Sequence, residues 1–169
     1  TAKESENFLN TNGNTNNVLF LPAFNGLGAP FWDSDIRGGF YGITQDSSIE
    51  DMVTSAFQAI TFQTKEITSI LEKYDIEISK LLVDGGMVEN NSFCQALADT
   101  LTKEILQPEN VESTAIGACK VSMIASGIDI DSLNNSKIKS FKPVKSRVEN
   151  YDKNYENWKL YVSNSQKLT

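Results

Sequence analysis

The most constraining stretch of this sequence is Leu81-Leu82-Val83-Asp84-Gly85-Gly86. Its apolar run has no polar alternation. That is the pattern of a strand buried on both faces, where both side-chain directions meet protein. Asp84 and the two glycines stop it abruptly. A helix is expected from about Asn91, because Phe93, Ala96, Leu97 and Leu101 recur at helical spacing. A strand covered on both sides needs layers above and below it, so this one segment points to an α/β architecture.

The rest of the chain supplies the layers. Val18–Leu21 ends at Pro22 and reads as a short strand, and Gly39–Thr44 as another. Between them lies PAFNGLGAPFWDSDIRG, an ordered loop whose Phe24, Phe31 and Trp32 are expected in the core. Ser48, with Asp51 three residues on, predicts an N-cap and capping box. Ile49, Met52, Val53, Ala56, Phe57, Ile60, Ile67, Ile70 and Leu71 then predict a long helix with one face on a sheet. Ile105-Leu106 reads as a strand stopped at Pro108. Ser113 or Thr114 should cap a helix with the small face Ala115, Gly117 and Ala118, closed by Gly127 as its C′ residue. Residues 128–148 read as a surface connection, and a last helix is expected from about Tyr151 to Ser165. The polar residues 1–17 read as a leader loop, and 18–169 as one domain with three central strands alternating with helices.

Composition narrows the function classes. A net charge of −7 argues against a nucleic-acid partner, since binding to that backbone needs clustered cations. The chain has no histidine, which excludes histidine-based triads and histidine-ligated zinc within it. Cys94 and Cys119 lack a metal-site or disulfide spacing and read as small buried residues on helices. No apolar run is long enough for a membrane span, and no signal pattern is visible, so a cytoplasmic location is expected.

The candidate site is the turn after Val83. Ligands of open α/β sheets sit beyond the carboxyl ends of the strands. Gly85 and Gly86 remove side chains there, and the following helix N-terminus should point its N–H groups to the same place. Asn90 and Asn91 offer amide groups suited to a purine edge or a phosphate. From these residues alone two readings stand, a nucleotide site or a tight turn with an Asn cap. Asp84 reads as fixing the turn by accepting backbone N–H groups rather than as a base or metal ligand. Asp33 and Asp35 beside Arg37 read as a local ion pair.

Several segments together resemble the carbohydrate kinases of the FGGY family, and within it the glycerol-kinase branch. They are PAFNGLGAPFWD at 22–33, GGFYGI at 38–43 followed by DMVTSAFQ at 51–58, VDGGMVENN at 83–91, ESTAIGAC at 112–119 and YDKNYENW at 151–158. They are collinear. The resemblance implies an incomplete actin-like ATPase (ribonuclease H-like) domain, the C-terminal nucleotide-binding domain lacking its first strands. It implies ATP with Mg2+, a small polyol such as glycerol as acceptor, and nucleotide contacts at Gly86 and Asn90, with Gly85 adjacent. The catalytic aspartate is expected upstream, so the fragment alone should be inactive. A xylulokinase or gluconokinase, or a non-catalytic nucleotide-binding module of the same fold, are the alternatives. Association of copies into a homo-oligomer stays open.

Overall fold

The computed structural model describes residues 5–10, 12–110, 112–129 and 137–167. Its longest helix, α1, spans Ile49–Lys73. The Ser48 hydroxyl accepts from the Asp51 N–H at 3.1 Å, and the Asp51 carboxylate accepts from the Ser48 N–H at 2.9 Å, which is the expected capping box. The buried side of α1 is more polar than its apolar spacing predicts. Thr54, Ser55, Gln58, Thr61 and Thr68 are buried, whereas Ile49, Ile67 and Leu71 are exposed. The reason is that α1 packs chiefly on another helix and on a loop-fed strand, and these neighbours offer polar partners. Thr61 shares a 2.9 Å hydroxyl contact with Thr100, and Thr54 Oγ1 accepts from the Asn10 N–H at 2.8 Å.

Two sheets form. Strand β1 (Leu19–Leu21) pairs antiparallel with β2 (Gly39–Tyr41), Phe20 opposite Phe40. Strand β3 (Lys80–Leu82) runs through helix α2 (Asn91–Leu101) into β4 (Glu104–Pro108), a parallel pair with Leu81 opposite Ile105. A third strand, β5 (Ile138–Phe141), joins β4 antiparallel. It falls in the stretch read as a surface connection, of which residues 130–136 lie outside the described residues. The strand expected at Gly39–Thr44 is therefore not part of this sheet, and the third member comes after β4 and not before β3. Among the described residues, the face of this sheet that carries Leu82 is left uncovered. Leu82 is 67% exposed, so the expected burial of Leu81–Val83 on both faces is corrected within this chain.

Helix α3 (Ser113–Ala125) has Glu112, not Ser113 or Thr114, at its N-cap position, with no side-chain capping bond. Its other end is as expected. Gly127 adopts φ +71°, its N–H donates to the Ile124 carbonyl, and the Ile128 N–H reaches back to Met123, a Schellman closure. Helix α4 spans Lys145–Gln166 and so begins six residues before the expected Tyr151. Its Tyr151, Tyr155, Trp158 and Val162 join Phe62 of α1 and Leu19 and Leu21 of β1 in one core. A second core holds Val88, Phe93, Cys94, Leu97, Ile105 and Phe141, and α2 serves both.

The polar N-terminal stretch is built into this body. The Gly13 carbonyl accepts from Gln58 Nε2 at 2.7 Å and from Asn154 Nδ2 at 2.9 Å, so a residue read as leader loop ties α1 to α4. In the aromatic loop only Phe31 goes inward, edge-on to Trp158 at 6.0 Å. Phe24 and Trp32 are exposed, against expectation; Ala23, Leu27 and Ile36 of the same loop enter the core instead, and Trp32 sits at φ +50°.

Asp99 joins α2 to the start of α4. Its Oδ1 accepts from the Val144 N–H at 2.7 Å and from Gln95 Nε2 at 2.9 Å, while Oδ2 lies 3.9 Å from Arg147. Burial holds this carboxyl above the ordinary carboxylate range, with those hydrogen bonds and Arg147 opposing the shift. A raised folded value favours the protonated form. Its stabilising contribution is complete below the ordinary carboxylate value and is lost as pH rises through the folded value. Denaturant titrations of wild type and Asp99→Asn carried upward from the ordinary carboxylate value should therefore show the wild type losing ground to the variant as pH rises. A constant difference would show that Asp99 does not titrate in that window.

Candidate nucleotide site

The turn after β3 is shaped by its glycines. The Val83 N–H still donates to Leu106 at 3.0 Å, and then the chain leaves the sheet. Gly85 takes φ +91°, a conformation that L side chains rarely adopt. A 3-10 turn, Gly86–Glu89, follows, and α2 then begins at Asn91, where the helix was expected. Val88 is its one buried residue and anchors it to the second core. The Cys94 thiol donates to the Val88 carbonyl at 3.3 Å, and burial pushes that thiol up to about 11. Cys94 is thus a packing residue, as expected, whereas Cys119 on α3 is exposed.

Gly86 differs from Gly85. Its φ is not in the left-handed region, and a Cβ built on it meets nothing within 4 Å. Neither backbone conformation nor internal packing of this chain therefore demands glycine at 86. A requirement for bare backbone there has to come from something outside the described residues.

Asn90 is fully buried and is the N-cap of α2, its Oδ1 accepting from the Phe93 N–H at 2.9 Å. The Ser92 N–H donates to the Glu6 carboxylate at 3.2 Å. Two of the first-turn donors, the Phe93 and Ser92 N–H groups, are thus already engaged, by a cap and by an acid from the N-terminal stretch. Asp84 is exposed, and among the described residues its carboxylate accepts no hydrogen bond, so its expected role in fixing the turn is not seen. Arg37 donates to the backbone carbonyls of Ser34, Asp35 and Ile36. The Asp33 carboxylate caps the Asp35 and Ile36 N–H groups, which hold it below the usual carboxylate range. That loop is a folded turn in place of the expected simple ion pair.

The structure brings to the turn a residue that sequence missed. Lys139 of β5 donates from Nζ to Asn91 Oδ1 at 2.6 Å. Together with Lys137, Gln107 and Pro108 it lines an open groove of about 420 Å³ at the same end of the sheet. The signal was weak because β5 was not read as a strand. The small face of α3 does not pack as expected. Gly117 is exposed, with nothing within 4 Å of a built Cβ. Among the described residues no group of three acidic, cysteine or histidine side chains is placed to hold a metal. No helix there is long and apolar enough to cross a membrane.

Comparison with known proteins places these features in a wider set. Residues 3–126 match the FGGY family of carbohydrate kinases, C-terminal domain. A glycerol kinase of Streptococcus pyogenes serotype M6 is 36% identical over an alignment that takes in 100% of this chain and 34% of that protein. The chain thus spans about a third of the length of the curated relatives it matches. Among solved structures, the Plasmodium falciparum glycerol kinase with ADP superposes with a TM-score of 0.77 at 28% identity, over 96% of this chain and 33% of that one. A xylulose kinase from Rhodospirillum rubrum shares the fold, with a TM-score of 0.77 at 17% identity, over 99% of this chain and 34% of its own.

Proposed function

We propose, from the premise that this chain belongs to the FGGY family of carbohydrate kinases, that it is the ATP-side portion of an enzyme that phosphorylates glycerol. In that reaction a glycerol hydroxyl oxygen bonds to the γ-phosphorus of ATP as the bond to the bridging oxygen breaks. ADP leaves, the hydroxyl proton passes to a base outside these residues, and glycerol 3-phosphate forms. The observation that carries the reading is the 36% identity to a glycerol kinase sustained along the whole chain. The glycine that nothing internal requires, Gly86, adds to it.

Gly86, Gly85 and Asn90 are the nucleotide-binding residues of this proposal. The two glycines admit the nucleotide to bare backbone, and the buried Asn90 holds the start of α2 beneath them. Mg2+ enters with the phosphates of ATP, since a phosphate-bound magnesium keeps most of its ligands from phosphate and water. A cytoplasmic location fits this chemistry, because ATP and the polyol are both met there.

Purified full-length protein should form glycerol 3-phosphate from glycerol and ATP in a coupled ADP-release assay. Equal or faster turnover of a pentulose or of gluconate would reassign the acceptor. Absence of turnover with every polyol and sugar tried would leave a nucleotide-binding module without kinase activity.

A further inference from the structure

Past the end of β3, the sheet holds the chain by side chains instead of backbone. The Val83 N–H donates to the Leu106 carbonyl, and the chain then turns away through Gly85 and Gly86. Strand β4 continues to Gln107 and Pro108, paired there with β5. Side chains opposite one another in an antiparallel pair project from the same face, and so do those two residues apart along a strand. Ile105 and Phe141 are such a pair, and both belong to the second core with α2. Gln107 and Lys139 are the next pair on that face. Both reach the segment that carries the nucleotide turn. Gln107 Nε2 donates to the Val88 carbonyl, and Lys139 Nζ donates to Asn91 Oδ1 at 2.6 Å. Lys139 Nζ also lies 5.0 Å from the centre of the Phe141 ring, so its stem runs along the same face. The Val88 carbonyl takes a second bond, from the Cys94 thiol at 3.3 Å.

We infer that the Gln107–Lys139 pair positions the nucleotide turn, fastening it at Val88 and at Asn91, one on each side of the N-cap residue Asn90. The two are positioning residues: they touch the turn and act on the nucleotide through it. The inference rests on the reading of that turn as a nucleotide site. Val88 already anchors the turn in the second core. The added bonds hold still a backbone that is left uncovered at Gly86, where a built Cβ meets nothing within 4 Å. A group fixed before its ligand arrives loses less freedom on binding, and that saving appears as affinity. Gln107 is half-buried and Lys139 exposed. Hydrogen bonds strengthen away from water, so Gln107 carries the larger share.

Equilibrium ATP binding by the full-length protein, with no acceptor present, tests this. Gln107→Met keeps the side-chain length and removes the donor. It should weaken ATP binding about fivefold, the size of one ordinary hydrogen bond. Lys139→Met should weaken it about twofold, and Lys139→Arg should recover most of that loss. The Michaelis constant for ATP should rise with the binding constant while that for glycerol stays put. General loosening would move both together and would overturn the inference, as would wild-type ATP affinity in both Met variants. Should Gln107→Met fail to fold, Lys139→Met, at an exposed residue, decides alone, and an unchanged ATP affinity there overturns the inference. A wild type that binds no ATP takes down the nucleotide reading and this inference with it. Weakened ATP binding in the variants of a protein that does not turn over glycerol supports the pair and removes only the acceptor assignment.

Discussion

Gly86→Val in the full-length protein is expected to weaken ATP binding about 10- to 100-fold while leaving the fold intact, a loss of about 1.4–2.8 kcal/mol of binding. The fold is spared because the added side chain meets open space and the backbone at 86 is not left-handed. Exposed substitutions of that kind shift stability by about 0.5 kcal/mol or less. Binding suffers because the β-branched side chain occupies the approach to the turn. Gly85→Val supplies the contrast. It too meets open space, but at φ +91° it carries backbone strain of about 1–3 kcal/mol. The pair separates two reasons for a glycine. Equilibrium ATP binding and urea unfolding on each variant would show loss of affinity alone for 86 and loss of stability as well for 85. Wild-type affinity in the 86 variant would reduce the segment to a turn. Asn90→Ala should raise the Michaelis constant for ATP more than that for glycerol, since its cap fixes the helix start under the turn.

Trp158→Ala should lower stability by about 3–5 kcal/mol, a large share of the roughly 5–15 kcal/mol that holds a domain together. The indole is 1% exposed and contacts Phe31 and Phe62 at ring distances of 6.0 and 5.9 Å. Its Nε1 donates to the Phe20 carbonyl at 2.9 Å, so truncation opens a cavity and also strands a strand carbonyl. Trp158→Phe keeps most of the packing and should lose about half as much or less. Trp32→Ala, at a residue 80% exposed, should be nearly neutral. Urea midpoints for the three variants would order them, and a Trp32 variant as damaging as the Trp158 one would contradict the placement of the aromatic loop.

Those two tryptophans mark the boundary of what sequence could reach. Both are large aromatics in segments that look like family signatures, and nothing local separates the one that faces the core from the one that faces water. The same holds for Cys94 and Cys119, each on an apolar helix, where only the packing partners of α2 and α3 decide burial. Strand β5 was not read because its pairing is long-range and only its two end residues, Ile138 and Phe141, are apolar.

The turn at Gly85-Gly86 was legible because its determinants are consecutive. An apolar run, two glycines and a following helix with an Asn at its head suffice to specify a strand, a turn and a capped helix start. The capping box at Ser48 and the Schellman closure at Gly127 were legible for the same reason, each being made within about six residues. Sequence by itself therefore determined the local grammar of this protein and, through its collinear motifs, the resemblance that the comparisons bear out. Tertiary structure alone decided which donors were still open. It spent the Ser92 N–H of α2 on Glu6, brought Lys139 onto Asn91, and left Gly86 bare. Contacts between residues far apart in the chain set those outcomes, and no local pattern encodes them.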